Sequence, residues 1–247
     1  MSALSGLFTD LAPAVEFGWA GRSFAFLLLV GIPVLAMLQP EDRDMVLPPR
    51  LALYVSAIIG VWVLAALTLL VLWLEAAAPA DIGLHAPGPV SFVAWTTAVT
   101  AGALIGNLII SRSAAWLGLR ELRLTLHLMP RTGRERRLFV GVSASAGLCE
   151  ELTYHGFLLA GLNGWLGNGW WAALIANLAF GVLHGYQGYA GVVRAGLMGY
   201  VLSLPVIVGA GLWPAMTAHF LVNVLLGFGL WRWMIPAVGK NSINNSR

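Results

Sequence analysis

The chain has 247 residues, of which 59% are hydrophobic and 10% are charged, and its mean hydropathy is +0.81. A soluble globular chain is about 45–50% apolar and about 25% charged, so this composition excludes a cytosolic enzyme and a secreted disulfide scaffold. The net charge of +3 is too small to indicate a nucleic-acid partner. The surroundings that fit this composition are those of a lipid bilayer.

Seven apolar segments of the chain are long enough to cross a hydrocarbon core, which takes about 20 helical residues. They lie near 17–38, 51–75, 90–111, 136–161, 169–186, 189–209 and 213–235. A helix satisfies its own backbone hydrogen bonds, as lipid requires. We therefore predict an all-α fold, a polytopic transmembrane helical bundle of about seven spans.

The segment 112–137 differs from these spans. Its leucines and Trp116 alternate with charged side chains such as Arg120, Glu121 and Arg123. This mixture is typical of an amphipathic segment that lies at the membrane surface. A weakly hydrophobic eighth span is the alternative interpretation.

The basic residues are distributed unevenly along the chain. Of the 14 Lys and Arg residues, 12 lie in the loop after the first span, in the segment 112–137 or at the C-terminal end. The other two, Arg22 and Arg194, lie inside predicted spans. With seven spans the three basic stretches share one side of the membrane, and the opposite loops contain no Lys or Arg. The positive-inside rule then places the N-terminus outside, and the C-terminus and the basic loop 112–137 in the cytoplasm.

Two adjacent glutamates, Glu150 and Glu151, lie inside the fourth predicted span. Placing an ionisable residue inside a membrane span costs free energy, so such a residue generally indicates a function. Neighbouring residues on a helix point about 100° apart, so the two carboxylates face different directions. Glu151 and His155 are four residues apart and share a face, so they can hydrogen-bond. A helix-packing network or an ion site in a transporter explains the same residues.

Further polar residues lie in the later spans. His184 is four residues after Phe180, and His219 and Asn223 are four residues apart on one face of the last span. Two donors on one face can stabilise a developing oxyanion. Hydrogen bonding between packed helices is the alternative role for this pair.

Together these motifs resemble a known family. Their order is Glu150-Glu151 followed by Gly156, then Phe180-x-x-x-His184, then Leu212-Trp213-Pro214-Ala215-x-x-x-His219-x-x-x-Asn223. This order is similar to the CPBP family of CAAX proteases and bacteriocin-processing enzymes, which includes the type II prenyl endopeptidases. The resemblance covers about residues 140–228. It implies an intramembrane endopeptidase, in a bacterial cytoplasmic membrane, that acts on a membrane-associated or lipidated peptide or protein.

The resemblance also implies roles for individual residues. Glu150 corresponds to the essential glutamate of the family, and His184 to the histidine that helps it to activate water. His219 and Asn223 correspond to the pair that forms the oxyanion hole.

The sequence departs from the family pattern at one position. Glu151 matches a second glutamate, which in the family pairs with an arginine, and His155 occupies the position of that arginine. Arginine stays charged, whereas a buried histidine can be neutral. The resemblance therefore leaves open how Glu151 is held.

The same residues leave a metal-dependent reaction open. Two histidines and a glutamate form a catalytic zinc set, which here would be Glu150, His184 and His219. We favour a glutamate-based reaction that requires no cofactor, with zinc or another divalent metal as the alternative.

Two other classes of protein fit the composition. One is a non-catalytic membrane protein, such as a bacteriocin-immunity protein or a scaffold, and the other is a proton-coupled transporter.

We divide the chain into N-terminal transmembrane helices with the amphipathic segment (1–135), a catalytic helical core (136–235) and a polar tail (236–247). On straight helices, His184 and His219 fall near opposite membrane surfaces, so their meeting requires short, tilted or re-entrant helices.

Overall fold

The computed structural model describes residues 11–38, 47–118 and 123–234, without the side chains of residues 123, 233 and 234. Every regular element within these ranges is a helix, as the apolar segments predicted. The predicted polar tail 236–247, together with Arg120 and Glu121, lies outside the described residues.

The first half of the chain forms three long helices and a short one. These are α1 (Trp19–Met37), α2 (Arg50–Leu74), α3 (Pro89–Trp116) and α4 (Arg123–His127). A 3₁₀ turn, Pro79–Ile82, lies between α2 and α3. Helix α3 begins at Pro89 because proline suits the first turn of a helix, where its missing N–H has no helical acceptor.

The second half of the chain is also helical, but it is interrupted more often. The elements are α5 (Gly133–Glu150), a π-helix (Glu151–Leu158), α6 (Leu159–Leu166), α7 (Gly169–Leu183), a 3₁₀ turn (His184–Gln187), α8 (Gly188–Ile207), α9 (Leu212–Leu225), a π-helical turn (Leu226–Leu230) and α10 (Trp231–Met234). Single π-helical segments inside α-helices often occur at functional sites. Here the π-helix begins directly after Glu150.

Five helical stretches in the described residues are long and apolar enough to cross a membrane. They are α1, α2, α3, the combined stretch Gly169–Ile207 of α7 and α8, and Leu212–Leu230. The predicted count of seven spans, or eight, is therefore not confirmed. The coarser prediction, an integral membrane protein built of helices, agrees with these stretches.

Helices α7 and α8 form an antiparallel hairpin in which the two helices pack very closely. A Cβ atom on Gly181 would lie 2.8 Å from the carbonyl oxygen of Val192, and one on Gly199 would overlap Oδ1 of Asn177. Small residues let membrane helices approach this closely. Helix α7 has only 15 residues, which corresponds to about 22 Å.

Helices α5 and α9 are in similarly close contact. A Cβ atom on Gly147 would lie 2.8 Å from the carbonyl oxygen of Met216. This approach brings the end of α5, which carries Glu150, beside the middle of α9, which carries His219.

The predicted amphipathic segment 112–137 is divided among several elements. Its first residues belong to α3 and its last residues begin α5, while α4 lies between them. The chain after α4 is attached to α2, since Nε of Arg50 donates to the carbonyl of His127 at 2.6 Å and the hydroxyl of Tyr54 donates to the carbonyl of Leu128 at 2.6 Å.

A capping box begins α5. The N–H of Glu135 donates to Oγ1 of Thr132 at 3.2 Å, while the N–H groups of Arg131 and Thr132 donate to the Glu135 carboxylate at 2.7 and 2.9 Å. These backbone donors, first that of Arg131 and then that of Thr132, hold the pKa of Glu135 below its usual range.

We expect Glu135→Gln to lower the thermal midpoint in detergent by about 2–4 °C at neutral pH, because it removes a negative charge at a helix N-terminus that is worth about 1 kcal/mol. Because the folded pKa is depressed, the carboxylate stabilises the fold fully above the ordinary glutamate pKa. That contribution is lost as the pH falls through the lowered folded value. Circular-dichroism melts from neutral to acidic pH test this, with the exposed Arg134→Gln as control. A difference between wild type and Glu135→Gln that stays constant with pH would contradict it.

Candidate active site

The two adjacent glutamates lie in different environments, as their angular separation predicted. The side chain of Glu150 is 19% exposed, whereas that of Glu151 is 1% exposed. Glu150 is the last residue of α5, and Glu151 is the first residue of the π-helix. One carboxylate is therefore accessible, and the other is enclosed by protein.

The buried carboxylate of Glu151 has a histidine on each oxygen. Nδ1 of His155 contacts Oε2 at very short range, and Nδ1 of His219 contacts Oε1 at 2.7 Å. A buried carboxylate needs such donors, because removing its charge from water without compensation is costly. The predicted hydrogen bond between Glu151 and His155 is present, and His219 is a second partner that the spacing did not reveal.

Asn177 of α7 extends this network. Its Oδ1 lies 2.8 Å from Nε2 of His155, and its Nδ2 donates to the carbonyl of Ala173 at 2.8 Å. Asn177 is 1% exposed. Sequence reasoning missed this residue, although an amide inside an apolar helix was a signal that could have found it.

His184 lies at the C-terminal end of α7. Its Nδ1 donates to the carbonyl of Phe180 at 3.0 Å, and its ring centroid is 4.7 Å from that of Phe180. A carbonyl oxygen can only accept, so the proton of the neutral ring is on Nδ1 and the lone pair is on Nε2. The Phe180-x-x-x-His184 spacing thus fixes both the position and the tautomer of this histidine.

One cavity of about 170 Å³ brings together three of the four predicted catalytic residues, His184, His219 and Asn223. Most of its other walls are apolar and include Phe139, Phe180, Leu202 and Leu226. His184 follows a helix of only 15 residues, α7, and lines the same cavity as His219, so the expected obstacle to their meeting is absent. A helix of about 22 Å is shorter than a hydrocarbon core of about 30 Å.

The fourth predicted residue, Glu150, lies at the edge of this group. Its Oε2 is 3.9 Å from Nε2 of His219. This separation is too long for a hydrogen bond and within range of electrostatic attraction. Glu150 thus faces the one nitrogen of His219 that is not bonded to Glu151.

The sequence analysis also assigned no role to Arg194, a polar residue of the cavity wall. Arg194 of α8 is 8% exposed and lines the cavity. Its guanidinium donates to Oγ of Ser111 at 3.4 Å and to Oε1 of Gln187 at 3.1 Å. A cation inside an apolar helix was the available signal.

The candidate zinc set does not assemble in the described residues. Within 11–38, 47–118 and 123–234, no group of three His, Cys, Asp or Glu side chains is arranged to hold a metal ion. In this arrangement Glu150, His184 and His219 are not brought together as a set of three metal ligands.

Comparison with known proteins gives a match at the level of the family. Neither the curated proteins nor the solved structures contain a match to this chain. A family model, Type II CAAX prenyl endopeptidase Rce1-like, matches residues 135–225. The matched region contains the buried network of Glu151 and all four predicted catalytic residues, Glu150, His184, His219 and Asn223. Residues 135–225 of this membrane protein therefore form a domain similar to the type II CAAX prenyl endopeptidases.

Proposed function

We propose that the chain is an intramembrane endopeptidase that hydrolyses a peptide bond of a membrane-associated or lipidated substrate. The observation that supports this most strongly is the shared cavity of His184, His219 and Asn223, with the Glu150 carboxylate 3.9 Å from His219. Bases and hydrogen-bond donors that converge on one cavity are what hydrolysis of a peptide bond requires.

Glu150 and His184 activate the attacking water. Nε2 of His184 carries a lone pair, because Nδ1 donates to Phe180, so it accepts a hydrogen bond from the water. Glu150 takes the proton of the water as its oxygen attacks the carbonyl carbon of the substrate. The same proton passes to the amine leaving group when the carbon–nitrogen bond breaks.

His219 and Asn223 stabilise the negative oxygen of the tetrahedral intermediate. Asn223 donates through its side-chain amide. Nδ1 of His219 already donates to Glu151, so Nε2 donates only when the ring carries both protons. The buried Glu151 carboxylate stabilises that cationic ring.

Their partners distinguish the two histidines. His184 bonds to a neutral backbone carbonyl, which suits a base, whereas His219 bonds to a carboxylate, which suits a cationic donor. In this proposal the reaction uses carboxylate and imidazole chemistry, and no step is assigned to a metal ion or other cofactor.

For the orientation, we propose that the N-terminus is outside and that the C-terminus and the basic loop 112–137 are cytoplasmic, in a bacterial cytoplasmic membrane. The support is the distribution of the basic residues, 12 of which lie in three stretches of the chain.

The test is cleavage of a farnesylated CAAX peptide by the purified full chain in liposomes, with mass spectrometry of the products. We expect cleavage that persists with 1,10-phenanthroline and falls by about 10²–10⁴-fold in His184→Ala. The control is His85→Ala, an exposed histidine that does not line the cavity.

Undiminished cleavage by folded His184→Ala would contradict the assignment of that residue. Absence of cleavage by folded wild type, with either the farnesylated or the unmodified peptide, would contradict the endopeptidase. A pH-sensitive dye inside the same liposomes then detects proton transport. Proton transport is the alternative activity, which the family match does not favour.

A further inference from the structure

We propose that Asn177 is a positioning residue that keeps His155 doubly protonated, so that His155 provides a positive charge beside Glu151, as an arginine would. This inference rests on the proposed function, because its consequence for catalysis runs through Glu151 to His219. It starts from hydrogen-bond direction along the buried series Asn177, His155, Glu151 and His219, whose three links are within the described residues.

The orientation of the Asn177 amide is fixed by its neighbours. The carbonyl of Ala173 accepts only, so the atom 2.8 Å from it is the NH₂ group, and the oxygen points at His155. The oxygen occupies space that exists because residue 199 is glycine, since a Cβ there would overlap it. A reversed amide would face the Ala173 carbonyl with a second acceptor, which is unfavourable.

An amide oxygen facing Nε2 of His155 determines the protons of that ring. The oxygen accepts only, so Nε2 must donate, and Nδ1 faces Oε2 of Glu151. Glu151 also receives the N–H of His219 at 2.7 Å, and a carboxylate with two such donors is stabilised as the anion. The remaining proton therefore belongs to Nδ1, and His155 is an imidazolium.

The charge of His155 affects the cavity through Glu151. With His155 cationic, the buried carboxylate is balanced and its second oxygen remains an acceptor for Nδ1 of His219. That bond directs Nε2 of His219 toward Glu150 and the cavity. Loss of the Asn177 acceptor leaves the Nε2–H of His155 buried without a partner, which favours the neutral ring. With a neutral His155 the buried Glu151 has one cation fewer to balance its charge, which favours the protonated carboxyl, and a protonated Glu151 holds Nδ1 of His219 less firmly than the carboxylate does.

The test combines a spectroscopic and a kinetic measurement on the full chain in lipid. Protein labelled with ¹⁵N-histidine is compared by solid-state NMR with Asn177→Leu, and the His155 signals are assigned from His155→Arg. We expect two protonated nitrogens on His155 in the wild type and one in Asn177→Leu. A neutral His155 ring in the wild type, or an unchanged imidazolium in Asn177→Leu, would overturn the proposal, whether or not the chain cleaves any peptide.

The kinetic measurement uses rescue. Asn177→Leu is expected to lower kcat on the farnesylated CAAX peptide by up to about 100-fold, with KM nearly unchanged, because the residue positions groups and does not touch substrate. Adding His155→Arg supplies a permanent cation and is expected to restore most of kcat. Failure of His155→Arg to restore kcat, in a double variant that folds, would count against the proposal.

A matched control separates this role from general packing. Asn163 is also a buried helical asparagine, 6% exposed, and its Nδ2 donates to the carbonyl of Ala12 at 3.0 Å, away from the cavity lining. We expect Asn163→Leu to reduce stability and leave kcat and the His155 signals unchanged. If Asn177→Leu does not fold, Asn177→Ala makes the same test with a smaller side chain.

Discussion

Glu150→Gln is expected to lower kcat on the farnesylated CAAX peptide by about 10²–10⁴-fold, with KM little affected. The substitution keeps the shape of the side chain and removes the carboxylate that accepts the water proton. Stability should change by less than about 0.5 kcal/mol, because the side chain is 19% exposed and its contact with His219 is 3.9 Å long. Single-turnover cleavage in liposomes measures the first effect and thermal unfolding in detergent the second.

A combined variant checks whether Glu150 and His184 act on the same water. When two residues act in the same step, removing one of them already abolishes most of what the pair contributes. The double variant Glu150→Gln with His184→Ala should therefore be hardly slower than either single variant. Multiplication of the two effects would show that they act in separate steps, and full activity of Glu150→Gln would remove it from the mechanism.

The neighbouring substitution, Glu151→Leu, is expected to act on stability. It removes the acceptor of both His155 and His219, two rings that are 1% and 7% exposed. Breaking a buried ion pair from one side costs about 3–5 kcal/mol, which corresponds to a fall in the thermal midpoint of roughly 6–20 °C. Thermal unfolding of the purified chain, with Glu150→Gln as the matched control one residue away, measures the difference.

A double variant tests the reason for this loss. Replacing both members of a buried pair by apolar residues is often neutral or stabilising, so Glu151→Leu with His155→Met should recover part of the lost stability. A further decrease would show that the instability comes from packing of the π-helix around Leu152–Leu158 and not from uncompensated polar groups.

The sequence was sufficient for the parts of the site that depend on spacing along one helix. Adjacent residues diverge by about 100°, which separates Glu150 from Glu151, and four-residue spacing joins Glu151 to His155. The bond from His184 to the Phe180 carbonyl has the same spacing but was not predicted. The helical class followed from composition, and the order of the motifs predicted the resemblance to the CAAX proteases that a family model finds over residues 135–225.

The parts that depend on packing between helices were not predictable in the same way. The bonds from Glu151 to His219 and from His155 to Asn177 join residues 68 and 22 positions apart, and nothing periodic connects them. The exact end of α7 was also not predicted, because a run of apolar residues does not reveal that the helix ends after 15 residues. His184 directly follows this helix end and shares the cavity with His219.

The shortness of α7 has a consequence for the lipid around it. A helix of about 22 Å in a hydrocarbon layer of about 30 Å is mismatched by several ångströms. Lipids next to such a helix thin the layer or tilt their headgroups inward, at a cost of a fraction of a kcal/mol per ångström. We expect this thinning to bring the aqueous boundary closer to His184, so that the bilayer itself helps to supply the water that the proposed hydrolysis requires.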